Sequence, residues 1–251
     1  MNERPDAVLI SIIIATYNAG RHLGDCLQSV KSQTVPGLEV VIVDGGSTDN
    51  TMTIVKESGI ARLKWVSEAD KGIYDALNKG VKMAGGKWVY FLGADDRLLP
   101  GFSELAGHVQ DERTVYYGNS EAYSHEGEVP FALLQGAFSG YRLAKYCMNH
   151  QSIIYPAAVF RKYTYDLRYK ASADYALNLL LWGDNSFKKQ HYPVTVVLYN
   201  MTGFSAAGKD IPFMKDKLLL IRKGMGWSMY LRMVIKRYKH KLLGKEDLWA
   251  P

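Results

Sequence analysis

A chain of 251 residues has room for one medium domain with additions or for two small ones, and its 47% apolar and 22% charged residues suit a soluble globular protein. The net charge of +6 suggests a nucleic-acid binder only until it is placed: residues 1–214 hold 21 Lys/Arg against 22 Asp/Glu, and residues 215–251 hold 10 against 3. The body is neutral, so nucleic acid is not expected as a partner, and the charge concerns the tail alone.

Residues 8–15 form a β-branched apolar run that predicts a buried strand, closed by the polar stretch from Thr16 to Gly20. The run is too short to span a bilayer and follows a mixed-charge segment, so neither a secretion signal nor a transmembrane helix is expected. Leu23, Cys26, Leu27 and Val30 recur at helical spacing, which predicts a helix over 21–33, and Pro36 with Gly37 marks a turn. A strand over 39–43 ends in the run from Asp44 to Asp49. A helix over 51–58, a strand over 62–67 and a helix over 74–84 follow, the last with Tyr74, Leu77, Val81 and Ala84 on one face. After Gly85 and Gly86 a strand over 87–92 stops at Gly93, and Asp95 and Asp96 come at once. Strands and helices alternating in units of ~30 residues imply right-handed crossovers and a largely parallel sheet, hence an α/β protein. Beyond Asp96 the pattern loosens. It gives strands over 114–120, 151–155 and 194–202, a helix over 173–182, a mobile loop over 124–138, and a long helix from 213 to about 243. The expected division is a catalytic domain over 1–212 and a basic amphipathic helical tail over 213–251. Cys26 and Cys147 are far apart and lack metal-ligand spacing, which fits a reduced cytosolic protein.

Three polar clusters close three of these strands: Thr16, Tyr17 and Asn18; Asp44 to Asp49; and Asp95 with Asp96. Parallel neighbouring strands gather such clusters at one sheet edge, where open α/β sheets bind ligands. Each cluster also has a plain structural reading, since the Asp44 run suits a turn and Ser47 or Asp49 suits a helix cap. An acidic pair at a strand end can instead hold a divalent cation against a phosphate. Neighbours on an extended backbone point to opposite sides, so Asp95 and Asp96 can serve different groups. A nucleotidyltransferase wants a Gly-rich basic triphosphate loop that residues 16–21 do not supply. A dehydrogenase wants a Gly-x-Gly-x-x-Gly turn after the first strand, and none is present.

Residues 11–18, 39–49 and 70–80, followed by 93–96, together resemble family 2 glycosyltransferases of the bacterial polysaccharide-biosynthesis type, across residues 8–182. The resemblance implies a GT-A (nucleotide-diphospho-sugar transferase) fold, with a mostly parallel central sheet flanked by helices and here a C-terminal helical extension. It implies metal-dependent, inverting transfer of a hexosyl or N-acetylhexosaminyl group. The donor would be a nucleoside-diphosphate sugar, UDP-linked by preference, and the acceptor a hydroxyl of a saccharide or lipid-linked saccharide in surface polysaccharide biosynthesis. In the implied roles Tyr17 stacks on the nucleobase, Asp44 accepts a base N–H and Lys71 approaches the diphosphate. Asp95 hydrogen-bonds ribose, and Asp96 coordinates Mn²⁺ or Mg²⁺. Asp174 matches the acceptor-side base. Its plain reading is a cap for the helix over 173–182, where the helix N-terminus would weaken it as a base. His150 and Gln151 are implied in the acceptor or donor pocket, and Asp166, Arg168 and Trp182 are further candidates for the acceptor side. The non-enzymatic alternative is a catalytically inactive binding or scaffold protein of the same fold, which would have no chemical need of Asp44, Asp95, Asp96 and Asp174.

In the tail, Trp227, Leu231, Val234, Tyr238 and Leu242 recur at helical steps, and Arg232, Lys236 and Lys239, joined by Arg237 and Lys241, form another face. A basic amphipathic helix with aromatic residues fits an anionic membrane surface. The alternative is a helix that packs this stripe on the domain. The expected location is the cytoplasm, with peripheral contact to the inner face of the cell membrane.

Overall fold

The structure, a computed structural model, describes residues 9–123, 135–201 and 209–244. The first half alternates as the sequence predicts: β1 (Ile10–Thr16), α1 (Leu23–Lys31), β2 (Leu38–Asp44), α2 (Thr51–Glu57), β3 (Leu63–Ser67), α3 (Ile73–Met83) and β4 (Trp88–Phe91). β1 and β2 are continuous apolar runs because helices cover both faces of the sheet. Ile10, Ile12 and Ile14 join the core with Leu23, Leu27 and Val30 of α1, whereas Ile13 joins the opposite core with Leu77 of α3. Each such side chain contributes about 1.5–3 kcal/mol by leaving water. A slip of one residue would exchange the two faces, so burial fixes the register.

These strands pair in parallel in the order β3-β2-β1-β4. The register sets Thr16 beside Asp44 and Asp44 beside Ser67, and Leu92 N–H donates to the Ile13 carbonyl (3.0 Å). All three polar clusters therefore leave the sheet at one edge.

The second half is β5 (Arg97–Leu98), α4 (Pro100–Gly107), β6 (Thr114–Tyr123), α5 (Gly140–Lys145), β7 (Ile153–Pro156), α6 (Ala157–Lys162), α7 (Ala173–Trp182), β8 (Lys188–Asn200) and α8 (Ile211–Leu242). β7 lies antiparallel between β4 and β6, and β8 pairs in parallel with β6 and antiparallel with β5. Several expectations change here. The strand expected over 151–155 begins at Ile153, because His150–Ser152 is a single 3₁₀ turn. The strand expected from 194 starts at Lys188. This longer strand contains Pro193, which the β6–β8 register shift next to Tyr117 and Asn119 accommodates, since such an irregularity tolerates proline. β5, α4, α5 and α6 were not foreseen and are too short to show a period, although Pro100 in the first turn of α4 was a usable signal. Of the loop expected over 124–138, residues 124–134 lie outside the described residues. Phe138 belongs to the core, its N–H donating to Tyr117 Oη (3.1 Å).

α8 is docked by its first half. Asp210 accepts from Phe213 N–H at its start (3.2 Å), and from the Ala171 and Ser172 N–H groups (2.9 and 3.1 Å), tying α8 to the start of α7. Phe213, Lys217, Leu220 and Ile221 are buried. Where the helices cross, a Cβ on Gly183 or Gly224 would collide with the backbone of the other helix. Gly226, at φ 82°, then breaks the helix that the sequence reads as continuous. Beyond it Met233 is buried, and Arg232 and Lys236 lie over the Tyr141 ring at 3.7 and 5.7 Å. Trp227, Leu231, Ile235, Tyr238 and Leu242 face solvent. Part of the basic face thus packs on the body and the apolar stripe does not, with Ile235 rather than the half-buried Val234 completing it. Among the described residues no helix is long and apolar enough to cross a membrane, and both cysteines are free.

Candidate active site

The loops after β1 and β2 are stitched to each other. Asn18 N–H donates to Ser47 Oγ (2.8 Å), Asn18 Oδ1 accepts from Thr48 N–H (2.9 Å), and Asp49 accepts from the N–H groups of Gly20 and Thr51 (both 3.0 Å). Asp44 pins this arrangement from below. It is fully buried, and its Oδ1 accepts from Thr16 Oγ1 (3.0 Å) and Ser47 Oγ (2.5 Å). Its Oδ2 accepts from Gly46 N–H (3.1 Å), Ser47 N–H (2.9 Å) and Ser67 Oγ (2.6 Å). Burial raises the carboxyl, but the hydroxyl and amide donors outweigh it and hold Asp44 below its ordinary 3.8. A carboxylate offers about four lone-pair positions, and five protein donors already crowd those of Asp44 in this arrangement.

Tyr17, 68% exposed, stands beside Gly45 with its ring available. Asp70, which the sequence reading left without a role, reaches the same place. A Cβ on Gly45 would lie 2.7 Å from Asp70 Oδ2 and 3.4 Å from Tyr17 Cδ2. Asp70 Oδ1 accepts from Gly72 N–H (2.7 Å). Lys71 is exposed just before α3, and Lys170 Nζ lies 3.5 Å from the Lys71 carbonyl, which adds a second cation that no motif had marked.

After β4 the chain turns tightly. Asp96 N–H donates to the Gly93 carbonyl (3.1 Å), and a Cβ on Gly93 would collide with Asp96 Oδ2. Asp96 is 3% exposed. Gln151 Nε2 donates to its Oδ2 (2.5 Å) and Asn200 N–H to its Oδ1 (2.6 Å), while Gln151 Oε1 accepts from Gly93 N–H (2.8 Å). Burial, reinforced by the charge of Asp95, pushes Asp96 up to about 6 against the pull of those hydrogen bonds. Asp95 is half-buried, with Oδ2 accepting from Asn200 Nδ2 (3.0 Å) and its carbonyl from Tyr123 Oη (3.0 Å). Asp96 is enclosed and engaged on both oxygens, bracing the turn, and Asp95 is the more accessible carboxylate. Among the described residues no group of three or more His, Cys, Asp or Glu could hold a metal alone. One accessible carboxylate nonetheless fits Mn²⁺ or Mg²⁺, which takes its remaining ligands from diphosphate and water.

Asp174 lies in the first turn of α7, whose N-cap is Ser172, and it is not a cap. Its side chain is 9% exposed, with Oδ1 accepting from Tyr74 Oη (2.7 Å) and Oδ2 lying 3.0 Å from His150 Nδ1. Burial raises this carboxyl, but the contacts with His150 and Tyr74 and the Tyr175 N–H outweigh it and hold it below the ordinary range. His150 packs edge-on against Phe91, the last residue of β4 (6.1 Å), and Gln151 beside it grips the acidic turn. One turn thus joins the acidic turn to the His150–Asp174 pair. Arg168 pairs with Asp166 (2.7 Å) and with Asp216 of α8 (3.3 Å), and Trp182 packs on Tyr117, so these three take part in bracing contacts. Asn200 carried no sequence signal, since an Asn in a strand looks like any polar strand residue.

Comparison with known proteins agrees with this arrangement. The glycosyl transferase family 2 profile matches residues 11–167. The "PGL/p-HBAD biosynthesis glycosyltransferase" of Mycobacterium tuberculosis is 34% identical over 243 residues, 91% of this chain and 89% of that protein. The chondroitin synthase of Escherichia coli is 38% identical over 99 residues, 39% of this chain and 14% of the synthase. Among solved structures, S. aureus TarS 1–349 in complex with UDP-GlcNAc superposes with a TM-score of 0.76 at 18% identity, covering 92% of this chain and 73% of TarS. The mannosyltransferase PcManGT from Pyrobaculum calidifontis, in complex with GDP-Man and Mn²⁺, gives 0.63 at 14% identity, covering 94% and 82%. These likenesses show a GT-A fold, and with the profile spanning the loops just described, this chain belongs to glycosyl transferase family 2.

Proposed function

We propose that this glycosyltransferase moves a hexosyl or N-acetylhexosaminyl group, with inversion, from a UDP-linked sugar to a hydroxyl of a saccharide or lipid-linked saccharide in surface polysaccharide biosynthesis. The observation that carries the reading is the gathering of Tyr17 with Asp70, of Asp95, and of His150 with Asp174 along one edge of β1, β2 and β4. Tyr17 offers a stacking face. Asp70 Oδ2 beside it offers one acceptor, which suits a base with a single imide N–H such as uracil. Lys71 and Lys170 approach the diphosphate. Asp95 moves from the ribose role expected of it to the metal, with Asp96, Gln151 and Asn200 holding it in place. A divalent cation there would offset charge developing on the departing diphosphate. Attack by an acceptor hydroxyl in a single displacement inverts the anomeric carbon and needs a proton acceptor on the acceptor side, where His150 and Asp174 stand. The UDP-GlcNAc bound to TarS and the GDP-Man and Mn²⁺ bound to PcManGT support a nucleotide-sugar donor and a metal.

A thermal-shift screen of nucleotides and nucleotide sugars tests this. At about a hundred times Kd a ligand adds about 2.7 kcal/mol, so UDP compounds with Mn²⁺ should raise Tm by about 5 °C or more. They should do much less without the metal. No shift with any nucleotide would end the donor reading.

The tail supports a second assignment, peripheral attachment to anionic lipid on the inner face of the cell membrane. Beyond Gly226 the exposed stripe of Trp227, Leu231, Ile235, Tyr238 and Leu242 is flanked by exposed Lys239 and Lys241, and an anionic bilayer complements both the apolar and the charged part. Vesicles containing anionic lipid should bind the full chain, less as salt rises, and should not bind a chain ending at Gly226. Equal binding of the shortened chain rules the attachment out.

A further inference from the structure

Three cations from α5 and the far half of α8 gather around one ring. Arg232 lies 3.7 Å from the centre of the Tyr141 ring, Lys145 5.4 Å and Lys236 5.7 Å, and Lys145 also lies 4.7 Å from the Tyr146 ring. Lys145 and Lys236 come close enough that burial and the Lys145 ammonium together hold Lys236 below its ordinary range. The aromatic faces attract these cations and position them, but they do not cancel their charge. Among the described residues no carboxylate forms an ion pair with any of the three. The sequence gives the reason, since no Asp or Glu occurs between Glu128 and Asp166, around α5, or between Asp216 and Glu246, around the far half of α8. Elsewhere on the body such cations are paired: Lys64 with Glu39, Lys79 with Glu68, Arg97 with Asp25 and Lys162 with Asp184.

Like charges held together without a counter-charge repel one another until an anion joins them. A guanidinium beside two ammonium groups suits phosphate, the first by paired N–H donors and the others as point charges. The place of the cluster on α8 decides which phosphate. Arg232, Lys236 and Lys239 follow at steps of four and three and so form one row along the helix. Met233, on the side of this row that meets the body, is buried, whereas Leu231, Ile235, Tyr238 and Leu242, on the other side, face solvent. An anion in the cluster therefore has exposed apolar surface beside it. Inorganic phosphate has no use for that surface, and the headgroup of a bilayer lipid does.

We propose that Lys145, Arg232 and Lys236 form a binding site for the phosphate of an anionic lipid headgroup, with the neighbouring stripe of Leu231, Ile235 and Tyr238 in the apolar layer below it. The site rests on the attachment of the tail to anionic lipid and adds to it a residue of the body, Lys145. A phosphate held there clamps α5 to the part of α8 beyond the break at Gly226. It also brings the membrane surface to the stretch of chain that leads from α5 to His150.

Binding of the full chain to phosphatidylcholine vesicles with and without phosphatidylglycerol tests this. With phosphatidylglycerol present, Lys145→Gln and Lys236→Gln should each weaken binding about tenfold or more, the loss of one charge-assisted bond. The double variant should be little weaker than either, because both ammonium groups serve one phosphate. Lys145→Arg, which keeps the charge, should bind within about threefold of wild type. Lys82→Gln, which removes one charge from an exposed position on α3, should bind within about twofold. Soluble dihexanoyl phosphatidylglycerol, below its micelle concentration, should bind the wild type and bind Lys145→Gln about tenfold less tightly. Inorganic phosphate at the same concentration and ionic strength should not compete with it. Wild-type binding by Lys145→Gln would mean that the tail binds alone, and losses that simply add would mean independent charges. An equal loss in Lys145→Arg would make Lys145 a packing residue, and competition by inorganic phosphate would give the cluster to free phosphate. Each of these results overturns the lipid site and leaves the attachment of the tail standing. A wild type that leaves phosphatidylglycerol vesicles unbound defeats the attachment, and the site with it.

Discussion

Asp44→Asn is expected to lower stability by about 3–4 kcal/mol, the larger of two predicted effects on the donor side. The carboxylate serves three donors on Oδ2 and two on Oδ1. An amide of the same shape must set its NH₂ against one of those groups whichever way it is turned. Turned toward Oδ2 the NH₂ meets the Gly46 and Ser47 N–H groups, which cannot accept; turned toward Oδ1 it meets the Thr16 and Ser47 hydroxyls, which can. Either way bonds to a charged acceptor, worth about 1.5–3 kcal/mol each, give way to weaker ones. For a domain of this size the cost corresponds to about 10 °C in Tm. The pH dependence has a definite sign. The native carboxyl is held below its ordinary 3.8, so its contribution is complete above that value and is lost as pH falls through the lower native one. Urea unfolding should therefore show a gap between wild type and Asp44→Asn at pH 7 that closes below about pH 4. Equal stabilities at pH 7 would show that Asp44 is not the pin of these loops. Donor affinity should fall as well, because Tyr17 and Gly45 rest on the same pinned turn.

The second large effect separates the two neighbouring acids. Asp95→Asn should leave Tm within about 2 °C, as surface changes do, and should weaken Mn²⁺-dependent UDP binding by about 100-fold or more. Asp96→Asn disturbs a supporting residue: its new NH₂ meets either Asn200 N–H or Gln151 Nε2. Partners of that kind are worth about 10–100-fold in metal affinity. The metal response should thus weaken in Asp96→Asn and nearly vanish in Asp95→Asn. Titration calorimetry of UDP with and without Mn²⁺ reads the difference. An Asp95→Asn protein with its metal response intact, beside an Asp96→Asn protein without one, would restore the metal to Asp96. Such metal dependence is also what separates an enzyme from the inactive scaffold alternative, which needs neither acid.

The contrast between these residues shows what the sequence could convey. The first four strands and their helices were readable because β1, β2 and β4 are buried on both faces and the helices have one apolar side, patterns that local spacing records. The position of Asp95 and Asp96 at a strand end was readable for the same reason. Their division of labour was not, because Asp96 is enclosed by Asn200 from β8 and Gln151 from the turn before β7, both far along the chain. Asp44 looked like a group free to meet a ligand, since its donors Thr16 and Ser67 come from neighbouring strands whose register had first to be known. The pairing of His150 with Asp174 spans 24 residues and follows no period. The break in α8 was hidden for a related reason. Gly226 and Gly224 are two ordinary helix-weakening residues until Gly224 meets α7, and that contact is tertiary.

That contact makes α7 a strut. One end carries Asp174 against His150 and Tyr74, and the other is clamped at Gly183 against Gly224, about 14 Å away by helix rise. A tilt of α8 pivots at the clamp and is transmitted along α7 to Asp174 and His150. The acidic turn after β4 is tied to the same strut, because Gln151 beside His150 donates to Asp96. What the first half of α8 rests on is therefore continuous, through α7, with the His150–Asp174 pair and, through Gln151, with the acidic turn.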